Sequence, residues 1–142
     1  MLEVNSIKKG IVLDHITVEN GLKIFNKLML DKVDYPVVLL MNVPSKAMGK
    51  KDIIKIENNI DIDLDFLGLI DHNISVNIIE DGKVILKKKV SIPKRVKGIF
   101  PCHNPRCITN FDNYVKPSFE LVSPSRLAYQ CDFCEEITEY KI

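Results

Sequence analysis

The sequence has no excess of charge of either sign and no long hydrophobic run. Among its 142 residues, 20 are Lys or Arg and 19 are Asp or Glu, which gives a net charge of +1. This balance argues against a strongly basic nucleic-acid-binding protein and against a disordered, charged tail. The longest apolar run, residues 37–41, is far too short to cross a membrane, and the N-terminal residues lack the apolar segment of a secretory signal. We therefore expect a cytoplasmic protein with no membrane partner.

Glycine-rich and catalytic motifs are also missing. The six glycines form no G-x-G-x-x-G fingerprint of a dinucleotide-binding turn. Gly49, Lys50 and Lys51 resemble the end of a phosphate-binding P-loop, but Pro44 occupies the position of its first glycine. No Ser/His/Asp or Cys/His set typical of nucleophilic catalysis can be recognised. The sequence therefore gives an enzymatic function little support.

Cysteine is absent from the first 101 residues and is concentrated in the last third of the chain. Cys102, Cys107, Cys131 and Cys134 follow the spacing C-x4-C-x23-C-x2-C. In a reducing compartment two such pairs favour metal ligands, the alternatives being two disulfides or four unrelated cysteines. Four thiolates complete the tetrahedral shell of one zinc ion and leave no position for water, so the pattern predicts a structural zinc. His103 is interpreted as a loop residue.

The cysteine distribution indicates two domains that meet near Pro93. Residues 1–93 contain no cysteine and have a net charge of zero, whereas residues 94–142 hold all four cysteines and carry +1. About 49 residues are too few for an ordinary hydrophobic core, so we expect the metal to help fold the second domain.

The first domain has the element order of a ferredoxin-like sandwich. The pattern predicts a strand ending at Ile16, a helix capped by Thr17, strands over residues 37–43 and 52–57 joined by a loop over 44–49, and a short helix. Two further strands follow, joined at Asp81-Gly82, which is a strong hairpin signal. The order β-α-β-β-α-β plus one strand predicts an α+β protein, with a ferredoxin-like α/β sandwich before a small antiparallel-β zinc-binding domain.

Lysines are concentrated on the predicted strands of the first domain. Lys51 and Lys55 flank the third strand, and alternation places Lys87 and Lys89 on one face of the last strand and Lys88 on the other. Such a cluster could hold a polyphosphate. From the pattern alone it is more typical of a solvated strand edge that lysine protects against aggregation.

Several stretches of the chain carry a resemblance to a known family. The most specific are the block MGKKDIIKIEN at residues 48–58 and the four-cysteine spacing, with Asn104 inside the first pair. Shorter matches are IKKG at 7–10, VLDHI at 12–16, NVPS at 42–45, VN at 76–77 and Pro93. From about residue 2 to about residue 137, the chain resembles the regulatory chains of aspartate carbamoyltransferase.

This resemblance implies a non-catalytic subunit with two tasks. An allosteric domain at residues 1–93 would bind CTP, UTP and ATP, and a zinc domain at residues 94–142 would hold the catalytic chain. The allosteric domains would pair into a regulatory dimer. The alternative function is a zinc-ribbon nucleic-acid-binding protein, which would bind through a basic stripe and interleaved aromatic residues.

The resemblance also implies a set of effector-binding residues. Asp14 and Lys55 would contact the ribose and base, and Lys87 the ribose and phosphates. His15 and Lys51 would lie beside the triphosphate. The backbone of Ile7 and the side chain of Val12 would line the base pocket. Val84 and Asn77 also match pocket positions, and Asn77 would lie near the phosphates.

Overall fold

The structure, a computed structural model, describes residues 8–58, 60 and 62–140 of the chain. Contacts between residues divide it into two compact units, Met1–Ser91 and Ile92–Ile142. Within the described residues, no helix combines the length and the apolar character needed to cross a membrane.

The N-terminal unit is a five-stranded sheet with two α-helices. In chain order its strands and α-helices are β1 (Gly10–Ile16), α1 (Asn20–Lys27), β2 (Val37–Ser45), β3 (Gly49–Ile56), α2 (Leu64–Ile70), β4 (Ser75–Glu80) and β5 (Lys83–Lys89), and a 3-10 helix at Leu30–Lys32 follows α1. The sheet is antiparallel with the order β2-β3-β1-β4-β5, so β5 extends the edge of a four-stranded ferredoxin-like sheet. The predicted α+β, ferredoxin-like fold is therefore confirmed.

The hydrophobic core lies between the helices and one face of this sheet. Ile54 and Ile56 of β3 are fully buried, as the alternation predicted, and so is Leu13 of β1. They pack with Ile24 of α1 and Leu67 of α2. Because successive side chains of a strand alternate between faces, the residues between these core positions point to the other, helix-free face.

A bulge in β1 changes this alternation at one place. Leu13 pairs with Ile54 and Ile16 with Asp52, so two residues of β1 lie opposite one residue of β3. The extra residue allows both Leu13 and Ile16 to be fully buried, although strict alternation would separate them. His15, inside the bulge, has a φ of 59° in the left-handed region. The bulge therefore keeps two consecutive polar residues out of the core.

The sequence predicts the turn of the β4–β5 hairpin correctly but not the length of the loop between β2 and β3. Asp81 and Gly82 form the tight turn between β4 and β5, with φ values of 53° and 75°. The predicted loop over residues 44–49 is too long, because β2 continues to Ser45 and β3 begins at Gly49. Pro44 is tolerated because β2 is an edge strand.

The start of α1 depends on a buried carboxylate rather than on the expected cap. The prediction that Thr17 caps this helix is wrong, because the helix begins after Glu19 and the Thr17 backbone N–H donates to Asp71 at 2.6 Å. The carboxylate of Asp52 accepts instead, from the backbone N–H groups of Glu19 and Gly21 at 3.1 Å each. A fully buried side chain on β3 thus replaces the local cap.

The same carboxylate also holds β2. Asp52 accepts from the backbone N–H of Asn42 at 3.0 Å. Asn42 lies where β2 carries one extra residue relative to β3, and its φ is 61°. Asp52 therefore connects three segments of the N-terminal unit.

The C-terminal unit is a small antiparallel sheet, as predicted. Its strands β6 (Arg95–Lys97), β7 (Ser118–Ser123), β8 (Ala128–Cys131) and β9 (Ile137–Glu139) lie in sequence order. Its core contains Phe119 and Tyr129, both fully buried, and Phe100, whose ring stacks on Phe119 at 4.5 Å. The Tyr129 hydroxyl donates to the Pro93 carbonyl at 2.7 Å.

We expect Asp52→Asn to destabilise the N-terminal unit by about 1–3 kcal/mol, because an amide nitrogen cannot accept a hydrogen bond from a backbone N–H. Urea unfolding followed by far-UV circular dichroism measures this change, since both α-helices lie in this unit. The control is Asp31→Asn, an exposed acid for which we expect a change within about 0.5 kcal/mol. Equal unfolding midpoints for the two variants would contradict the role of Asp52.

Candidate functional site

The four cysteines of the C-terminal unit converge on one point. Their Sγ atoms all lie within 4.8 Å of one another. The Sγ atoms of Cys102 and Cys134 are 3.6 Å apart, and those of Cys107 and Cys131 are 3.7 Å apart. A disulfide would bring two sulfurs to about 2.05 Å, whereas tetrahedral zinc with bonds of about 2.3 Å would separate them by about 3.8 Å. The cluster fits one zinc ion and does not fit two disulfides.

Hydrogen bonds within two loops hold these thiols in place. In the first loop the Asn110 side-chain amide donates to the carbonyls of Cys102 at 3.1 Å and Asn104 at 2.7 Å. In the second loop the Cys131 Sγ accepts from the backbone N–H of Phe133 at 3.4 Å. The amide bonds of Asn110 fix the backbone of the first loop, and the N–H of Phe133 orients the Cys131 sulfur and favours its thiolate form.

The thiols differ in how readily they ionise. Burial raises the pKa of Cys102 to about 12, and it also raises the pKa of Cys131. Burial acts on Cys107 in the same direction, but hydrogen bonding to Thr109 and to neighbouring thiols outweighs it and brings the pKa of Cys107 to about 7. Adjacent thiolates repel one another, so a divalent cation allows all four to ionise. The donor set therefore suits zinc chemically as well as geometrically.

The helix-free face of the N-terminal sheet carries a line of effector-site candidates. Cross-strand pairing places Lys55 of β3 beside Val12 of β1, Val12 beside Asn77 of β4, and Asn77 beside Lys87 of β5. Residues paired directly across strands point to the same face. We call these four residues the first row; a lysine lies at each end of it.

A second row lies two residues further along the same strands, about 7 Å from the first row. It consists of Asp14, Ser75 and Lys89, which are also paired across β1, β4 and β5. Lys51 joins this row through its Nζ, 3.0 Å from Asp14 Oδ1, and His15 joins through its Nδ1, 3.2 Å from Ser75 Oγ. The β1 bulge is what brings His15 to the same side as its neighbour Asp14.

Asp14 stays ionised at neutral pH. Its partial burial acts to raise its pKa, but hydrogen bonds from the Lys51 ammonium and the His15 backbone N–H lower it more, so the pKa of Asp14 lies below its ordinary value. The charge of Lys51 is therefore largely matched by Asp14.

Val84 reaches the helix-free face through a bulge in β5. Strand β5 carries one extra residue opposite the step from Ile78 to Ile79, and Ile79 pairs with Val84. Because of this extra residue, Val84 lies on the same face as Lys87, although three positions separate them in the sequence.

The side-chain oxygen of Asn77 is an open acceptor in the middle of the first row. It is buried and has no hydrogen-bond partner among the described residues. Leaving such an atom unpaired costs about 1–3 kcal/mol. A ligand hydroxyl or amino group would satisfy it.

A depression of about 510 Å³ opens beside the second row. It brings together residues of β1, β4 and β5 with the tip of the β2–β3 hairpin. Its lining consists of His15, Ala47, Met48, Asn73, Ser75, Lys87 and Lys89.

The structure places eight of the nine predicted effector residues in the described part of the chain; Ile7 lies outside it. Only His15 and Lys87 line the depression, whereas Val12, Lys55 and Asn77 lie in the first row. Sequence reasoning did not assign Ser75, Asn73 or Met48 to the site, because their position depends on strand register and on the hairpin tip, which the sequence does not show. The binding role of the predicted effector residues stays a prediction.

Comparison with known proteins gives consistent matches over the whole chain. The family models described as "Aspartate carbamoyltransferase regulatory chain, allosteric domain" and "Aspartate carbamoyltransferase regulatory chain, metal binding domain" match residues 2–91 and 94–142. A regulatory chain from Clostridium tetani is 50% identical over 143 residues, covering 100% of this chain and 98% of the relative. Regulatory chains from Clostridium acetobutylicum and Bifidobacterium longum are 48% and 42% identical, covering 96% and 95% of this chain and 94% and 97% of the relatives.

We expect the purified chain to contain about one zinc ion and Cys131→Ser to lose most of it, because three thiolates and a hydroxyl no longer form a closed shell. Elemental analysis of the dialysed protein measures the metal content. His103→Ala is the matched control, since His103 is exposed and follows Cys102 directly. Zinc bound at full occupancy by the Cys131 variant would contradict the four-thiolate site.

Proposed function

The chain belongs to the family of aspartate carbamoyltransferase regulatory chains, and from this premise we propose that it binds nucleotide effectors and transmits allosteric control of pyrimidine biosynthesis to cytoplasmic catalytic chains. Its relatives are named as regulatory chains, so it is the non-catalytic subunit. The comparisons give no support to the alternative of a zinc-ribbon nucleic-acid-binding protein.

The first row is the observation that carries the effector proposal. Lys55 and Lys87 stand at its two ends, and neither forms an ion pair within the described residues. Val12 and the open Asn77 acceptor lie between them. A nucleotide laid across the strands would place its base against Val12, a ribose hydroxyl at Asn77 and its phosphates at Lys87.

The ligands that fit this arrangement are nucleoside triphosphates, namely CTP, UTP and ATP. The row offers cations and one amide, which recognise the ribose and phosphates that these nucleotides share. Nucleotides that use the same row exclude one another, so an inhibitor and an activator would compete for it.

Regulation requires that the nucleotide bind one quaternary state more tightly than another. The coupling free energy in allosteric proteins is typically about 1–3 kcal/mol. An effector that prefers the less active state inhibits, and one that prefers the more active state activates.

We propose that the zinc ion is structural and that its loops present the surface for the catalytic chain. Phe111 and Tyr114 follow the ligand Cys107 and are 73% and 97% exposed. Phe133 lies between Cys131 and Cys134 and is 49% exposed. Large aromatic residues held outward by a metal-bound loop are typical of a protein interface.

We propose that the N-terminal units pair through β2 into a regulatory dimer. Both edge strands, β2 and β5, have unpaired backbone groups. Three consecutive lysines would meet like charges if β5 paired with its own copy. β2 carries Leu39, Leu40 and the 49%-exposed Met41 instead.

We expect Lys87→Ala to weaken CTP binding to the assembled complex by about 10- to 150-fold, because a charge-assisted contact to phosphate is worth about 1.5–3 kcal/mol. Isothermal titration calorimetry measures the affinity. Lys88→Ala is the matched control: Lys88 neighbours Lys87 on the same strand but points to the other face. A Lys87 variant that binds CTP as tightly as the Lys88 variant would place the site elsewhere.

We expect a mercurial that takes the thiolates to release the catalytic chains, because the loops around the zinc ion lose their order. Analytical ultracentrifugation would show the large complex replaced by smaller species, and zinc with a thiol reductant would restore it. Far-UV circular dichroism serves as the control, since the α-helices of the N-terminal unit should persist. An intact complex after complete removal of zinc would refute the structural role.

A further inference from the structure

We infer that Cys134 and Cys102 form a redox switch within the cluster of four thiols. Hydrogen peroxide joins them in a disulfide, and the site then loses its zinc ion. The chemistry rests on the geometry of the cluster. Its consequence for regulation rests on the proposed function, in which the ordered loops present the surface for the catalytic chain.

Cys134 is the ligand that a small oxidant reaches first. The sulfur-bearing residues Cys102, Cys107 and Cys131 are 4%, 2% and 1% exposed and therefore closed to solvent. Cys134, in contrast, is partly exposed. An oxidant that arrives from solvent therefore meets this sulfur before the other three.

Cys134 also differs from two of the buried ligands in its hydrogen bonds. The Cys131 Sγ accepts from the backbone N–H of Phe133 at 3.4 Å, and the Cys107 Sγ lies 3.1 Å from the Thr109 hydroxyl. Within the described residues, no N–H or hydroxyl group donates to the Cys134 Sγ, whose contacts are with other thiols. Hydrogen bonds stabilise a thiolate and lower its nucleophilicity, so the Cys134 sulfur is the stronger nucleophile.

Two exposed acids limit the oxidants that approach Cys134. Glu135 and Glu136 follow it directly, and neither forms an ion pair in the part of the chain that the structure describes. Their negative charges repel anionic oxidants and leave the approach of a neutral molecule unhindered. Hydrogen peroxide is small and neutral, so it is the oxidant that fits this position.

The oxidation conserves atoms and electrons. The Cys134 thiolate attacks one oxygen of hydrogen peroxide, the O–O bond breaks, and a sulfenic acid and a hydroxide ion form. The Cys102 thiolate, 3.6 Å away, then attacks the Cys134 sulfur and displaces a second hydroxide ion. Two thiolates have lost two electrons, and one peroxide molecule has gained them. The two sulfurs need to approach by only about 1.6 Å to reach the disulfide length of about 2.05 Å.

The disulfide removes two of the four zinc ligands. Cys107 and Cys131 alone cannot close a tetrahedral shell, so the affinity for zinc falls and the ion dissociates. The two loops then lose their order, as they would with a mercurial. A thiol reductant reverses the step by thiol–disulfide exchange, and added zinc restores the site.

The test treats the zinc-loaded chain with hydrogen peroxide and follows zinc release with a chromogenic chelator. At intervals the free thiols are alkylated, and disulfides are mapped by mass spectrometry of non-reduced tryptic peptides. Trypsin cleaves after Arg106 and so separates Cys102 from Cys107, and peptide fragmentation distinguishes Cys131 from Cys134. We expect the disulfide between Cys102 and Cys134 to form first and at the same rate as zinc is released.

Two histidine variants keep four ligands and differ in the thiol that they remove. Cys134→His should release zinc about tenfold more slowly than the unmodified chain, because the thiol that reacts first is gone. Cys107→His is the matched control and should stay within about twofold of the unmodified rate, since Cys134 and Cys102 both remain. Elemental analysis shows beforehand which variants hold zinc, and the disulfide map of the unmodified chain decides the question where a variant does not.

A first disulfide between any other pair would overturn the inference, and so would equally fast zinc release from Cys134→His and the unmodified chain. Failure of the proposed function has a different signature, which is read from the assembled complex by analytical ultracentrifugation. If the complex forms the Cys102–Cys134 disulfide and loses its zinc but stays intact, the inference stands and the proposed role of the zinc loops fails.

Discussion

The N-terminal unit depends on one buried carboxylate. Asp52 accepts three backbone hydrogen bonds, from the start of α1 and from the irregular part of β2. A buried charge is costly unless it is paired or fully hydrogen-bonded, so these segments must stay in place around it. Gly21 belongs to the same arrangement, because a Cβ there would lie 2.7 Å from the Asp52 carboxylate. The neighbours of Asp52 on β3, Lys51 and Ile53, are thereby held toward the opposite face.

The two faces of the sheet thus differ in character, since one is apolar and packs against the helices and the other carries lysines. Ile54 and Ile56 fill the core, and Lys51 and Lys55, which alternate with them, face away from the helices. The C-terminal unit is stabilised in a different way. Its small core of aromatic residues is supplemented by a cluster of four thiols that suits one zinc ion. One unit is organised by hydrogen bonds to a carboxylate, and the other by a site for a metal.

Much of this structure could be predicted from the sequence, because its signals are local. The short cysteine pairs, the Asp81-Gly82 turn and the alternation around Ile54 each need only a few neighbouring residues. The helix start could not be predicted, because its cap comes from Asp52, far along the chain. The extra residues in β1, β2 and β5 were also beyond the sequence, since an extra residue in a strand is visible only against its partner strand.

The three consecutive lysines of β5 have a consequence for local stability. All residues of this edge strand are exposed, and the strand is joined to the sheet through its backbone hydrogen bonds to β4. Repulsion among the lysines weakens that ladder, and a polyphosphate lying on Lys87 and Lys89 would neutralise it. Amide hydrogen exchange should therefore be fast in β5 of the free protein. When an effector binds, exchange should become slower in β5, and by a larger factor than in the central strands. An occupied site would then stabilise the outermost strand against local opening.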